Sequence, residues 1–236
     1  MPDTLGVIKL HTHFPRPLGD IGHPGSFSGP VLFDTVASAT PASVVTPGQI
    51  AAAVQADLIA AAQRLVAQGA TLITTSCGFV CAVHDVLAGA IEVPLVSSAL
   101  NLVPALSAEL APGKRLGVLT FDGRVLSPRH FGRFWADTVV IEGIEQGREL
   151  YPVIQQDLST LDPQRAEADV LEAAERLLQR HPDCAALLLE CTNLPPYGAA
   201  LRARFALPLF DIFSALQRVR ADPAFALALS PESRHA

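Results

Sequence analysis

Lysine occurs only twice, at Lys9 and Lys114, and charged residues make up only 17% of the 236-residue chain, below the ~25% of an ordinary soluble protein. So sparse a charged surface predicts that much of the exterior is covered by other elements or by a second subunit, and a homodimer is the expected state. The 17 basic residues are outnumbered by 23 acidic ones, a formal charge of -6, which argues against nucleic acid or an anionic membrane as a partner. No apolar run reaches the ~18 residues of a membrane span, because Gln55, Asp57, Gln63 and Arg64 interrupt the longest alanine-rich stretch. Met1 to Lys9 lacks a basic segment followed by an apolar block, so no secretory signal is expected and the cytoplasm is the expected compartment. Four cysteines, Cys77, Cys81, Cys184 and Cys191, make neither a dense disulfide framework nor a paired C-x2-C zinc site. Neither a G-x-G-x-x-G after the first strand nor a G-x-x-x-x-G-K-[ST] loop occurs, so nucleotide dependence is not expected.

What the chain does contain is an alternation of apolar strands and amphipathic helices, the pattern of a parallel sheet covered by helices on both faces. Gly6–Leu10 reads as the first strand, followed by a Pro- and Gly-rich loop from His11 to about Pro30, of a length that usually carries function. Pro30–Phe33 and Ala42–Val45 read as further strands. Thr46-Pro-Gly-Gln49 supplies an N-cap, a first-turn proline and a capping-box glutamine, so a helix is expected from there to Gly69, with Ile50, Val54, Leu58, Leu65 and Val66 on its buried side. Ala70–Ser76 is the next strand and delivers Cys77 at its carboxyl end. Gly78 to Gly89 reads as helix, Val93–Val96 as strand, and Ala99–Leu110 as helix. Asp162-Pro163 opens a further helix whose inner face is Val170, Ala174, Leu177 and Leu178.

The second half repeats the first. Gly6–Leu10 is echoed by Gly117–Phe121, the strand ending in Cys77 by Cys184–Glu190 ending in Cys191, and Val93–Val96 by Leu207–Phe210. Cys77 to Pro94 and Cys191 to Pro208 are both 17 positions, and the opening glycines precede their cysteines by 71 and 74 positions. This predicts two pseudo-symmetric α/β lobes with a cleft between them: residues 1–98, completed by 211–236, and residues 99–210. In such sheets ligands bind beyond the carboxyl ends of the strands, where helix N-termini offer free N–H groups. Cys77 and Cys191 both fall there, and a helix N-terminus is expected to lower a thiol pKa. Two thiols facing across a cleft can take a proton from one side of a carbon and return one to the other. The competing reading is that both are small core residues; Cys81 and Cys184 read as packing residues. His11, at the strand end, and Arg16, whose planar fork suits a carboxylate, are further candidates for substrate contact.

Thr74-Thr-Ser-Cys-Gly-Phe79, Leu189-Glu-Cys-Thr-Asn-Leu-Pro-Pro-Tyr197 and Phe14-Pro-Arg-Pro-Leu-Gly-Asp-Ile-Gly22 resemble the aspartate/glutamate racemase superfamily over nearly the whole chain. The resemblance implies two pseudo-symmetric lobes and cofactor-independent catalysis, with Cys77 and Cys191 as paired acid and base. It further implies that Gly78, Phe79, Thr192 and Asn193 bind substrate, that Thr120 and Asp122 border the same cleft, and that the C-terminal segment returns to the first lobe. The expected activity is that of a racemase or epimerase exchanging the α-proton of a small carboxylate such as an amino acid or derivative. Glutamate racemases commonly carry Cys-Asn-Thr and Cys-Thr-His where this chain has Cys77-Gly-Phe and Cys191-Thr-Asn. The superfamily also holds arylmalonate decarboxylases, which typically keep only the second cysteine, and dimethylsulfoniopropionate lyases, which the Glu190–Tyr197 segment also resembles. A β-eliminating lyase is therefore the alternative, and a non-catalytic small-acid binding protein a third reading. His11-Thr-His13 resembles the H-x-H metal pair of amidohydrolase barrels, but the chain is short for such a barrel and shows no series of further ligands; no metal is expected.

Overall fold

The computed structural model describes residues 3–219. Two four-stranded parallel sheets form its framework, the first ordered β2-β1-β3-β4 and the second β6-β5-β7-β8. Their strands are β1 Leu5–Leu10, β2 Val31–Val36, β3 Leu72–Thr75 and β4 Leu95–Val96, then β5 Arg115–Thr120, β6 Val139–Gly143, β7 Cys184–Leu189 and β8 Leu209–Phe210. Each strand of one sheet has its counterpart at the same place in the other, so the repeat seen in the sequence is a repeat of topology. Among the described residues, no helix is long and apolar enough to cross a membrane.

The helices are α1 Pro41–Val44, α2 Ala52–Ala67, α3 His84–Ala88, α4 Val103–Glu109, α5 Pro128–Phe131, α6 Leu150–Gln156, α7 Pro163–Arg180, α8 Gly198–Arg204 and α9 Ile212–Val219. Helix α2 buries Val54, Leu58, Ala61, Ala62 and Leu65, one stripe at 3.6 spacing, and ends before Gly69, whose φ of +99° is left-handed and suits glycine. Its start departs from expectation. Thr46 Oγ1 accepts from the Gly48 N–H and closes a turn, leaving α2 to begin at Ala52 with no side-chain cap. The working cap lies earlier: Thr40 and Ser43 bond reciprocally around Pro41. That capping box converts the expected strand at Ala42–Val45 into the single turn α1. In α7, the Asp162 carboxylate does accept from the N–H groups of Gln164 and Arg165.

Gly6 and Gly117, at equivalent places in β1 and β5, admit close packing of the helices behind them. A Cβ at Gly6 would stand 2.6 Å from Ile73 Cδ1, and one at Gly117 would stand 2.8 Å from both Cys184 Sγ and Leu177 Cδ2. Helix α9, which follows β8, packs against β4 and the turn Ala99–Leu102 as well as β8, with Phe213 5.6 Å from Phe27. Of the segment 211–236 expected to complete the first lobe, residues 220–236 lie outside the described residues.

Candidate active site

Both sheets aim their carboxyl ends at a common cavity. It is lined from the first lobe by Ser76, Cys77, Gly78 and Phe79 after β3, and from the second by Glu190, Cys191, Thr192 and Asn193 after β7. Thr12, Phe14 and Arg16 of the first long loop close one side; Pro41, Val45, Phe121 and Ile154 add apolar wall. The lobes are tied directly across it, since Thr192 Oγ1 donates to the Ser76 carbonyl at 2.7 Å. Cys77 is half-buried and Cys191 buried, and neither is in a disulfide.

The expected depression of the thiol pKa values is overturned. Cys77 leads into the 3-10 turn Gly78–Val83 rather than an α-helix. The Phe79 and Val80 amides favour the Cys77 thiolate, but burial and the Glu190 carboxylate outweigh them and push the thiol up to about 12. Burial and Glu190 likewise raise Cys191 well above the ordinary thiol value, against the Asn193 amide. A negative charge on either sulfur therefore needs a compensating change within the cleft.

A buried polar chain holds the second cysteine to the first loop. The Cys191 thiol donates to Asn193 Oδ1 at 3.5 Å, and Asn193 Nδ2 donates to Asp20 Oδ2 at 2.6 Å. Asp20 Oδ1 accepts from Arg16 Nη1 at 2.8 Å and from the Gly22 N–H, while Arg16 Nη2 donates to Thr12 Oγ1. Arg16 also covers the Phe14 ring, 4.5 Å from its centroid. Asp20 is 1% exposed and the Arg16 side chain 9%, so this pair shares a charge-compensated interior. Asp20 is a site residue that the sequence alone does not single out; its only signal there is its place in Gly19-Asp-Ile-Gly22.

The remaining candidates divide. Gly78, Phe79, Thr192, Asn193 and Arg16 line the cavity with the two cysteines. Phe79 is also core, 1% exposed and edge-on to His130 at 5.1 Å. Thr120 does not reach the cavity: its hydroxyl donates to Glu190 Oε2 at 2.7 Å. Asp122 lies in a neighbouring depression shared through Phe121, where it bonds Arg124 and Tyr151. His11 is exposed, outside the cavity lining, and meets His13 edge-on at 4.8 Å. His13 in turn pairs with Asp157 of the second lobe at 2.7 Å. Cys81 and Cys184 are buried away from the cavity, and among the described residues no group of three or more His, Cys, Asp or Glu is arranged to hold a metal ion.

Glu190 is the cavity residue that sequence reasoning passes over, although it stands in the motif beside Cys191. It has no exposed surface. Burial lifts its carboxyl from 4.5 to about 7, against the Thr120 hydroxyl and the Phe121 amide. A cavity with two thiols, a fixed guanidinium and a carboxyl raised toward neutrality holds groups able to exchange protons.

A family model described as Asp/Glu/Hydantoin racemase matches residues 28–218. The chain is 29% identical over 220 residues to a dimethylsulfoniopropionate lyase of Durusdinium sp. clade D, covering 88% of this chain and 71% of that protein. It is 30% identical over 223 residues to dimethylsulfoniopropionate lyase 7 of Emiliania huxleyi (strain CCMP1516), covering 88% of this chain and 63% of that one. Among solved structures, allantoin racemase from Klebsiella pneumoniae superposes with a TM-score of 0.61 at 15% identity, covering 97% of this chain and 90% of the other. That likeness is one of fold.

Proposed function

The chain belongs to the Asp/Glu/Hydantoin racemase family, and from that premise we propose that it is a cofactor-independent lyase. It takes the α-proton from a small carboxylate and expels a β-substituent, with a dialkylsulfonium carboxylate such as dimethylsulfoniopropionate as the substrate class. The observation that carries α-proton chemistry is that Cys77 and Cys191, from equivalent strand ends, line one cavity. The choice of elimination over inversion is supported by the relatives named as dimethylsulfoniopropionate lyases.

The lining suits a molecule with one anionic and one bulky cationic end. Arg16, Thr12 and Asn193 form the polar end and receive the carboxylate; Arg16 is held in position by Asp20. Phe14 and Phe121, with Val45, Pro41 and Ile154, form a wall against which methyl groups lose little by leaving water. Aromatic faces attract a cation without offering it a counter-charge, and Phe121 is fixed by stacking on Tyr151 at 4.7 Å. A sulfonium held beside a thiol favours the thiolate electrostatically, strongly so in a site that excludes water. Loss of the α-proton to that thiolate forms the carbon–carbon double bond and releases a neutral sulfide, which needs no acid to leave.

The second reading is the two-base racemase, favoured by the presence of a thiol on each lobe where an elimination needs only one base. Headspace chromatography of dimethyl sulfide, with acrylate measured in parallel, tests the first reading. Release abolished by Cys77→Ala is the expected result. No sulfide from the wild-type chain, together with solvent deuterium entering the α-position of amino acids or hydantoins, replaces it with the second.

A further inference from the structure

Glu190 Oε2 is satisfied by Thr120, but Oε1 is buried with no hydrogen-bond partner. Native interiors seldom leave such an acceptor open, and a place in proton transfer is one reason to keep it. Oε1 lies against the backbone of Gly78, where a Cβ would come within 2.1 Å of it and 2.5 Å of the Glu190 carbonyl oxygen. The residue after Cys77 is thus a glycine because the carboxyl of the other lobe occupies its side-chain space. The ionisable groups sharing this region are Cys77, Cys191, Arg16 and Asp20, with Cys81 in the turn behind; an ionised Glu190 disfavours the thiolate at all three cysteines. Of the two cavity thiols, Cys191 is engaged with Asn193 Oδ1; backbone amides favour a thiolate at both, those of Phe79 and Val80 at Cys77 and that of Asn193 at Cys191.

We propose that Glu190 is the proton acceptor for Cys77: when a cationic carboxylate enters the cavity, the thiol proton passes by way of one water to the open Oε1, leaving the thiolate that takes the substrate's α-proton. This rests on the lyase reading. In the first step S–H breaks and O–H forms, so the net charge of the cleft is unchanged, the condition for creating an anion where burial is costly. In the second, Cα–H breaks and S–H forms, the freed pair becomes the second Cα–Cβ bond, and the Cβ–S pair leaves with the neutral sulfide. Glu190 then gives its proton to water, the one proton that each elimination must release. A racemase returns a proton to its product and has none to export. Burial sets the carboxyl near 7, where it can both accept this proton and lose it.

Glu190→Gln keeps the shape and an acceptor for Thr120 but cannot take the proton. With dimethylsulfoniopropionate as the probe, kcat should fall at least ~100-fold while KM changes by less than about threefold. The acidic limb of the kcat/KM–pH profile, which reports the free enzyme and lies near 7 in the wild-type chain, should disappear. Thr120→Val removes the hydroxyl that favours the Glu190 carboxylate and should move that limb upward by about one pH unit with turnover retained. It carries the test if circular dichroism shows the glutamine variant unfolded. Wild-type kcat and profile in Glu190→Gln, or an unmoved limb in Thr120→Val, overturns the proposal and leaves the lyase reading standing. No sulfide release by the wild-type chain overturns both.

Discussion

Glu190 should leave a signature in the stability of the protein as well as in its chemistry. Its carboxyl titrates at about 7 in the fold against 4.5 in its ordinary environment, because burial disfavours the charged form more than the Thr120 hydroxyl and Phe121 amide support it. Below pH ~4.5 the group is protonated in both folded and unfolded chains and costs nothing. As pH rises from there to about 7, the unfolded chain ionises first and stability falls; above 7 the full cost is present. At ~1.4 kcal/mol per pH unit, that gap is worth about 3 kcal/mol. Glu190→Gln, neutral at every pH, should escape it. Calorimetric melts of both chains from pH 4.5 to 8 should therefore show the variant gaining about 3 kcal/mol on the wild type. For a chain of this size that is about 6–12 °C in Tm. Parallel Tm curves across that range would refute the reasoning, since they would mean that the carboxyl ionises in the fold as it does in water.

Asp20→Asn leaves the Arg16 guanidinium, itself 9% exposed, without a counter-charge and should cost about 3–5 kcal/mol; urea unfolding within 1 kcal/mol of wild type would show the pair to be dispensable. Gly6→Ala and Gly117→Ala should each lose about 1–3 kcal/mol through overpacking, because their new methyls meet Ile73 at 2.6 Å and Cys184 and Leu177 at 2.8 Å. Adding Cys184→Ala to Gly117→Ala should return part of that loss, which a simple additive result in the same melts contradicts. At Asp157, burial pushes the carboxyl up, but the His13 and Phe14 N–H groups and the His13 ring outweigh it and hold it low. Its support is present above the ordinary aspartate range and lost as pH falls through the folded value, so Asp157→Asn should flatten the acid limb of the stability curve.

The framework was readable because duplication writes the same pattern twice. Gly6 and Gly117, Cys77 and Cys191, Pro94 and Pro208 marked equivalent strands, and the topology repeats with them. Local capping was less legible: Thr40-Pro41 and Thr46-Pro47 offer the same N-cap chemistry, and only packing decides that the first opens a helix and the second a turn. Residues of the two cysteine motifs line one cavity because neighbours on a strand end share its location. Thr120 and His11 do not, since which way a strand-end side chain faces depends on the partner it finds. Thr120 turns to Glu190, and His11 lies outside the cavity beside His13. The thiol pKa values ran opposite to the dipole argument because a 3-10 turn offers few aligned amides, while burial of the sulfur acts in full.

The two lobes are alike in frame and unlike where it matters. Ser76 and Glu190 occupy the same position, the residue between the strand end and the cysteine. Ser76 accepts from the backbone N–H of Leu10, a neutral bond within its own lobe. Glu190 accepts from Thr120 and keeps one oxygen open toward the opposite lobe. A symmetric pair of sites serves a reaction that runs equally in both directions, as inversion of a carbon does. In the proposed reaction, a carboxyl placed on one side alone gives the proton a preferred exit and distinguishes the two thiols from each other. The asymmetry extends to the residues just past each cysteine, with Gly78 yielding its space to the carboxyl and Asn193 anchoring Cys191 to Asp20. On the proposed lyase reading, this asymmetry matches net proton removal from one face, which elimination demands and racemisation does not.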